Sequence, residues 1–313
     1  MIEIKEKIEQ SNSIIIAGHV NPDGDTIGAG LSLLLGLENK YPNKRIDFVL
    51  QDPVPKNISF LKGTEKIKKI EDINNPNYDL AIFVDSATIE RVGKVESLIG
   101  DTFKINIDHH ISNPKYGDIN LVKDISSTSE IMFSLLKELD LVVTLEMGEA
   151  IYLGLVNDTG NFAHSNVTDK TFLVASELMR LGVNNNKIVN DFFKTKSFQR
   201  MKVLGKALSE MKFIQDKKLM YFNLSYEGLK SLGAIKDDTE GVVEELLNYG
   251  DSEVSLFLRE DETGKIKGSM RSKHDIDVNK IAGIFGGGGH IKAAGFTSEL
   301  SSEEIIKKVV ENL

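Results

Sequence analysis

Residues 14–28 of the chain have the sequence IIIAGHVNPDGDTIG. The short apolar run at 14–17 is typical of a strand buried on both faces. The polar connection after it contains His19, Asp23 and Asp25, with a proline and a glycine between them. Three interpretations are open for this connection: a polar turn, because Pro-Asp-Gly favours turns, a calcium-binding loop, or half of a metal-dependent active site.

The alternation of apolar runs with helical patterns predicts an α/β protein whose N-terminal sheet is doubly wound and mainly parallel. Predicted strands there cover 14–17, 46–50, 80–84 and 103–107, and predicted helices cover 25–40, 56–62, 128–139, 146–157 and 168–182. The second half predicts a smaller α/β domain with a mixed sheet. Its predicted strands are 219–224, 254–258 and 266–271, and its predicted helices are 226–232, 238–249, 277–285 and 301–312.

The length of 313 residues favours two domains, because single cores stop growing at about 250–300 residues. We expect a metal-binding domain at 1–185, a helical linker at 186–212 and a substrate-binding domain at 213–313. The chain contains no cysteine, which excludes disulfides and thiolate metal sites. No apolar run approaches the roughly 18 residues of a membrane helix and no signal-peptide core is present, so we expect a cytoplasmic protein with no membrane partner.

The net charge of −9 argues against a protein that coats long nucleic acid, because such proteins need a basic surface. We therefore expect no long duplex as a partner. A short anionic substrate remains compatible with this charge if metal ions or a local basic cluster offset the acidic background.

Acidic and histidine side chains follow three of the predicted strands. His19, Asp23 and Asp25 follow the first strand, Asp85 ends the run LAIFVD, and the run FKINIDHH ends in an aspartate and two histidines. Carboxyl ends of parallel strands meet at one edge of a sheet, so these groups should converge. Asp108, His109 and His110 form the third group, and Asp158 lies at the end of a helix.

Each group alone has a simpler explanation as a turn or a helix cap. The calcium-loop interpretation fails, because the pattern counted from Asn21 requires Gly and Glu where Thr26 and Ser32 stand. Together, histidines and several carboxylates suit divalent cations such as manganese. Clustered carboxylates repel one another unless cations neutralise them, and in a two-metal site one carboxylate can bridge both ions.

The motifs GHVNPDGD, FVDSA, NIDHHISN and VNDTGNF, in this order, resemble the four motifs of the DHH phosphoesterase superfamily. The C-terminal sequence GSMRS…DVNKIAGIFGGGGHIKAAGF resembles the glycine-rich motif of the DHH-associated domain. The resemblance spans residues 18–296 and is nearest to the stand-alone nanoRNase/pAp phosphatase type of this superfamily.

This resemblance implies two divalent metal ions, most often manganese. It assigns His19 and Asp23 to the first ion, Asp25, His109 and Asp158 to the second, and Asp85 to a bridge between them. It also implies that His110 faces the scissile phosphate and that Asp108 orients a histidine. His164 falls outside the motifs and is expected to be structural or on the surface.

The segment GGGGH, Gly286–His290, has no side chain at four successive positions, so its backbone N–H groups could approach a phosphate or a base closely. A flexible hinge is the alternative. The resemblance implies that Arg271, Gly286, Gly287, Gly288, Gly289 and His290 bind the far end of a short substrate, with Lys273 and His274 as weaker candidates. His274 departs from the small residue expected there, which puts its role in doubt.

The expected activity is hydrolysis of oligoribonucleotides of about 2–5 nucleotides to mononucleotides, together with removal of the 3′-phosphate from 3′-phosphoadenosine 5′-phosphate (pAp). A phosphodiesterase for pApA and cyclic di-AMP is the alternative, and a degenerate nucleotide-binding sensor is a more remote one. Family II pyrophosphatases, RecJ-type exonucleases and membrane-tethered phosphodiesterases fit less well, because their second domain or additional regions differ. A homodimer is expected from the resemblance alone.

Overall fold

The computed structural model describes residues 2–313, which divide into two compact units. The first unit extends to Thr195 and the second runs from Lys196 to Leu313. Within the described range no helix is both long enough and apolar enough to cross a membrane.

The first unit is built on a six-stranded sheet in which every neighbouring pair is parallel. The strands are β1 (Ser13–Ala17), β2 (Arg45–Leu50), β3 (Lys68–Lys69), β4 (Leu80–Val84), β5 (Phe103–Asp108) and β6 (Ile119–Val122). Their order is β3-β2-β1-β4-β5-β6, so the chain winds outward in both directions from the β1–β4 pair. This confirms the doubly wound sheet and places the switch point, where such folds bind ligands, at the ends of β1 and β4.

Six α-helices belong to the first unit: α1 (Ile2–Gln10), α2 (Gly24–Lys40), α3 (Thr128–Glu138), α4 (Leu145–Asp158), α5 (Asp169–Leu181) and α6 (Asn185–Phe193). Helix α2 is buried along most of its length and packs closely on α4. Glycine at position 28 permits this approach, because a Cβ there would lie 2.4 Å from the carbonyl oxygen of Ala150. The close packing brings the start of α2, which carries Asp25, near the end of α4, which carries Asp158.

The second unit contains another six-stranded sheet, in the order β11-β12-β10-β9-β8-β7. Its strands are β7 (Lys212–Ile214), β8 (Leu219–Leu224), β9 (Val254–Glu260), β10 (Ile266–Ser272), β11 (Gly288–His290) and β12 (Ala293–Ser298). Only the β8–β9 pair is parallel, so the predicted mixed sheet is confirmed. The helices are α7 (Phe198–Glu210), α8 (Tyr226–Ser231), α9 (Val242–Leu247), α10 (Val278–Gly283) and α11 (Ser302–Glu311).

Several predicted elements differ from the structure. The helix predicted at 56–62 is wrong: the segment forms consecutive turns between Pro55 and Gly63, whose φ of +98° ends any helical path. The single helix predicted at 186–212 is two helices, because the side chain of Ser197 caps a new start by accepting from the Arg200 N–H. The helix predicted at 238–249 is α-helical only over α9. Strands β3, β6, β7, β11 and β12 were not predicted.

Candidate metal centre

The carboxyl ends of β1, β4 and β5 carry the side chains that form the centre of the site. His19 lies just after β1, Asp85 directly follows β4, and His109 directly follows β5. Asp85 is 2% exposed and has a φ of +54°, a left-handed conformation that is uncommon for an aspartate in a folded chain. Backbone strain of this kind persists where the surrounding structure imposes it, which is frequent at functional sites.

The two histidines are held in the same way. The Nδ1 atom of His19 lies 2.8 Å from the carbonyl oxygen of Val20, and that of His109 lies 3.2 Å from the carbonyl oxygen of Ile125. Nδ1 donates to the carbonyl in each case, so each Nε2 is left as a lone-pair donor. Both Nε2 atoms face carboxylates. A backbone carbonyl that fixes the other ring nitrogen is the usual arrangement for a metal-binding imidazole.

Two groups of possible ligand atoms share the carboxylate of Asp85. In the first group, His19 Nε2 lies 3.8 Å from Asp23 Oδ2 and 3.4 Å from Asp85 Oδ2. In the second, His109 Nε2 lies 3.1 Å from Asp158 Oδ2 and 3.7 Å from Asp85 Oδ1.

Asp25 joins His109 and Asp158 in a set of ligand atoms that all lie within 4.8 Å of one another. Neighbouring ligands of a divalent ion with bonds of about 2.1 Å stand about 3 Å apart, so both groups have suitable dimensions for a cation. Each group offers one imidazole together with carboxylate oxygens, a donor set that suits divalent cations of intermediate hardness.

Asp25 shows most clearly that the site requires positive charge. Its carboxylate is fully buried at the start of α3 and accepts hydrogen bonds from the N–H groups of Thr128 (2.7 Å) and Ser129 (2.8 Å). Burial, followed by the charges of Asp158 and Asp85, nevertheless raises the pKa of Asp25 well above its usual range. A cation bound between these carboxylates would remove that repulsion.

The histidine pKa values point the same way. Burial lowers the pKa of His19, but Asp23 and Asp85 outweigh it and raise the pKa to about 10. The pKa of His109 is also about 10, because Asp158 and Asp25 outweigh its burial. In the metal-free protein, protons therefore occupy the positions on nitrogen that a metal would take.

His110 differs from its neighbour. Its Nδ1 lies 2.8 Å from Asp108 Oδ1, so this nitrogen is engaged by a carboxylate. Ligand atoms of Asp85, His109 and His110 also lie within 4.8 Å of one another, close enough to hold a metal ion. The contact with Asp108, however, competes with any metal for Nδ1 of His110. The side chain of His110 is 42% exposed, which leaves its Nε2 able to meet a substrate.

Several residues in the site were not predicted from the sequence. The hydroxyl of Thr26 donates to Asp85 Oδ2 at 2.7 Å, and that of Thr128 lies 3.3 Å from Asp85 Oδ1. The amide of Asn157 donates to Asp158 Oδ1 at 2.7 Å. The pattern Ser127-Thr128-Ser129-Glu130 is a helix-start signature, but its contact with Asp25 depends on tertiary packing. His164 is exposed, and its Nδ1 lies 3.1 Å from the backbone carbonyl oxygen of Asp158.

In the second unit, the predicted substrate residues lie on neighbouring strands of the sheet. Arg271 pairs with Ala293, which in turn pairs with His290. Directly paired residues point to the same face, so Arg271 and His290 share a face with their Cα atoms about 9.5 Å apart, two strand spacings. The guanidinium of Arg271 also lies 2.8 Å from a carboxylate oxygen of Glu244.

The glycine segment is not an open loop. It forms the turn before β11 and β11 itself, and the N–H groups of Gly286, Gly287 and Gly289 donate to acceptors within the same unit. Three of the four glycine N–H groups therefore already have acceptors, and the approach of this segment to a phosphate or a base stays a prediction. Position 287 requires glycine because β12 lies so close: a Cβ on Gly287 would lie 2.2 Å from the carbonyl oxygen of Gly295.

The two weaker candidates have partners of their own. The ammonium of Lys273 donates to the carbonyl oxygens of Tyr249 (2.7 Å) and Gly250 (3.3 Å), just beyond α9. His274 is exposed, and its Nδ1 lies 2.6 Å from Glu253 Oε2.

Comparison with known proteins connects this site to a family. Residues 13–155 match the model of the DHH family N-terminal domain, and residues 216–313 match the DHHA1 domain. The chain is 34% identical over 302 residues to the bifunctional oligoribonuclease and PAP phosphatase NrnA of Thermus thermophilus, which covers 95% of this chain and 88% of that protein. It is 29% identical to the Bacillus subtilis protein of the same name, over 94% of this chain and 91% of that protein.

A solved structure has the same fold over the whole chain. The exopolyphosphatase-related protein of Bacteroides fragilis superposes with a TM-score of 0.90 and 28% identity, covering 99% of this chain and 95% of that chain. This chain belongs to the DHH family of metal-dependent phosphoesterases and is a hydrolytic enzyme. Within that family, its paired DHH and DHHA1 domains and its near full-length similarity place it with the NrnA type.

Proposed function

We propose that this chain is a manganese-dependent phosphoesterase that hydrolyses oligoribonucleotides of about 2–5 nucleotides to mononucleotides and removes the 3′-phosphate from pAp. The observation that carries the proposal is the position of Asp85 between two ligand groups: it belongs to one group with His19 and Asp23, and its Oδ1 lies 3.7 Å from Nε2 of His109 in the other. The Thermus and Bacillus relatives are named as bifunctional oligoribonucleases and PAP phosphatases, which supports the substrate class.

We assign the candidate ligands to two divalent cations. His19 and Asp23 would hold one ion, Asp25, His109 and Asp158 would hold the other, and Asp85 would contact both. Imidazole and carboxylate ligands without any thiolate favour manganese over metals that prefer sulfur. Bound divalent ions in such a site supply a water of lowered pKa and offset the charge of the phosphate.

The remaining residues of the first unit orient the reacting groups. The hydrogen bond to Asp108 raises the pKa of His110, and in the imidazolium form its Nε2–H donates to a phosphate oxygen as negative charge develops there. Asp108 accepts from Nδ1 of the same ring and fixes its orientation. Thr26 and Thr128 hold the carboxylate of Asp85 from the protein side, so its oxygens keep their positions as the substrate binds.

In the second unit, the proposed substrate-binding surface is one face of the sheet. Between Arg271 and His290 this face of the sheet carries Ala293, and the next row of the same face carries Ser269, Gly295 and Gly288, which are all small. A platform without large side chains admits a flat base or a ribose, while the guanidinium can bind a phosphate bidentately. Lys273 lies just beyond the Arg271 end of this platform.

A hydrolysis panel with manganese tests the proposal. The substrates are pAp, pApA, an RNA of about five nucleotides, a long RNA, cyclic di-AMP and pyrophosphate, each with and without a chelator. We expect chelator-sensitive release of mononucleotides from the short RNA and of phosphate from pAp, with little turnover of the long RNA. Preference for cyclic di-AMP or pApA would favour the alternative phosphodiesterase, and binding without any turnover would favour a sensor.

A further inference from the structure

A buried chain of polar side chains leads away from Nδ1 of His110 through Asp108. Asn106 and Asp108 have no exposed surface, and Asn113 is 8% exposed. The amide nitrogen of Asn113 lies 2.6 Å from Asp108 Oδ2 and 2.7 Å from Asn106 Oδ1. Buried polar groups of this kind require partners, and here each one supplies a partner for the next.

Asn113 is also fixed by its own backbone and by its side-chain oxygen. Its N–H donates to the carbonyl oxygen of His110 at 3.1 Å, and its Oδ1 accepts from the N–H of Lys115 at 2.7 Å. The assignment of nitrogen and oxygen in the amide follows from these contacts, because a backbone N–H needs an acceptor and a carboxylate needs a donor. The side chain therefore turns back towards the end of β5.

The far end of the chain is anchored beside Asp85. The amide nitrogen of Asn106 donates to the hydroxyl oxygen of Tyr116 at 3.0 Å and to the carbonyl oxygen of Ser86 at 3.3 Å. The hydroxyl of Tyr116 donates to the same carbonyl at 3.0 Å. Ser86 directly follows Asp85, so the network ties the end of β5 to the end of β4.

These contacts leave Asp108 no freedom to rotate. Its Oδ2 accepts from Asn113 and its Oδ1 accepts from Nδ1 of His110. The imidazole of His110 is the exposed end of this hydrogen-bond network. At its Nδ1 atom, the carboxylate of Asp108 is the only hydrogen-bond partner. Because both oxygens of Asp108 are held, its carboxylate keeps a proton on Nδ1 of His110 and sets the direction of the ring, so Nε2 points outward.

We propose that Asn113 is a positioning residue for the reaction: it holds Asp108, and through Asp108 it holds His110 in the orientation that meets the phosphate. The inference rests on the proposed function only for the choice of substrate. A positioning role differs from a purely structural role of Asn113 in the turn, because it requires that a substitution of Asn113 changes kcat only through His110.

The test is a double-mutant cycle with Asn113→Ala, His110→Ala and the double variant. We expect Asn113→Ala to lower kcat by about 10–100-fold with KM and manganese affinity within about twofold, the size typical of residues that orient active-site groups. In the His110→Ala background, the same substitution should change kcat by less than about twofold, because the group that it orients is absent.

Two further variants separate positioning from folding. Asn113→Asp keeps an acceptor for the Lys115 N–H but, when ionised, cannot donate to Asp108, so it should lose kcat like Asn113→Ala. Asn120→Ala is the matched control, because the side chain of Asn120 closes a neighbouring turn through two contacts with Gly117 and makes no hydrogen bond to Asp108, His110 or Asn113. It should keep the kcat of the parent protein.

The proposal is overturned if Asn113→Ala retains its kcat, if it lowers kcat equally without His110, or if Asn120→Ala causes the same loss. A readout that needs no natural substrate keeps this test separate from the proposed function. Nitrogen-15 spectra should show the hydrogen-bonded Nδ1–H of His110 in the parent protein and its loss in Asn113→Ala. An unchanged signal in Asn113→Ala would also overturn the proposal. Failure of the parent protein to hydrolyse pAp and short RNA would overturn only the proposed function.

Discussion

Replacing Thr26 with valine is expected to weaken metal binding without disturbing the packing around it. The side chain of Thr26 is fully buried, and its hydroxyl donates to Asp85 Oδ2 at 2.7 Å. Valine has the same β-branched shape as threonine but no hydroxyl, so the substitution removes one hydrogen bond from the shared carboxylate and leaves the volume filled.

Two independent estimates give the size of the effect. A hydrogen bond to a charged group contributes about 1.5–3 kcal/mol. Loss of a residue that orients a metal ligand weakens metal affinity by about 10–100-fold. At about 1.4 kcal/mol per tenfold change, this corresponds to about 1.4–2.8 kcal/mol, in agreement with the first estimate.

The assay is a calorimetric titration of metal-free protein with manganese, accompanied by thermal unfolding. Thr171→Val is the matched control, because its equally buried hydroxyl donates to Glu130 at 2.9 Å and Glu130 is not a candidate ligand. Thr171→Val should lower thermal stability and leave manganese affinity unchanged. Unchanged affinity in Thr26→Val, or an equal loss in both variants, would refute the reasoning.

Two other predictions concern the substrate platform and the protons in the site. Arg271→Ala should raise KM for a dinucleotide by about 10–100-fold and leave manganese affinity unchanged. The control is Arg259→Ala, on the neighbouring strand β9, which should change neither KM nor manganese affinity. An unchanged KM for Arg271→Ala would contradict the role of the guanidinium. His19 and His109, with pKa values of about 10 in the metal-free protein, are protonated at neutral pH. Manganese binding should therefore release close to two protons at about pH 7.5, measured by calorimetry in buffers of different ionisation enthalpy. Affinity should rise with pH and level off above about pH 10, and the absence of proton release would contradict this protonation state.

The convergence of the site could be predicted because it depends on topology. Once Ile14–Ala17 and the following apolar runs are taken as parallel strands, their carboxyl ends must lie at one edge of the sheet. The spacing of His19, Asp85 and His109 after three such strands was therefore enough to expect proximity, and the structure shows it.

The parts that sequence reasoning missed depend on packing between distant elements. Thr26 and Thr128 reach Asp85 only because α2 and α3 pack beside the sheet, and no local pattern reports that contact. Strand β12 was not predicted, since AAGFTS is rich in small residues that rarely signal a strand. The glycine segment was interpreted as a loop because glycine has no propensity that reveals β11, which exists through its pairing with β12.

The proposal depends most on Asp85 as a ligand shared by two metal ions. Electron paramagnetic resonance of the manganese-loaded protein tests this role most directly. Two ions about 3.5–4 Å apart should give the multiline spectrum of an exchange-coupled pair in the parent protein. Asp85→Asn, which keeps the shape but removes the bridging charge, should lose that spectrum together with hydrolysis. A parent protein that shows only isolated manganese, or an Asp85→Asn variant that keeps the coupled spectrum and its turnover, would contradict the account.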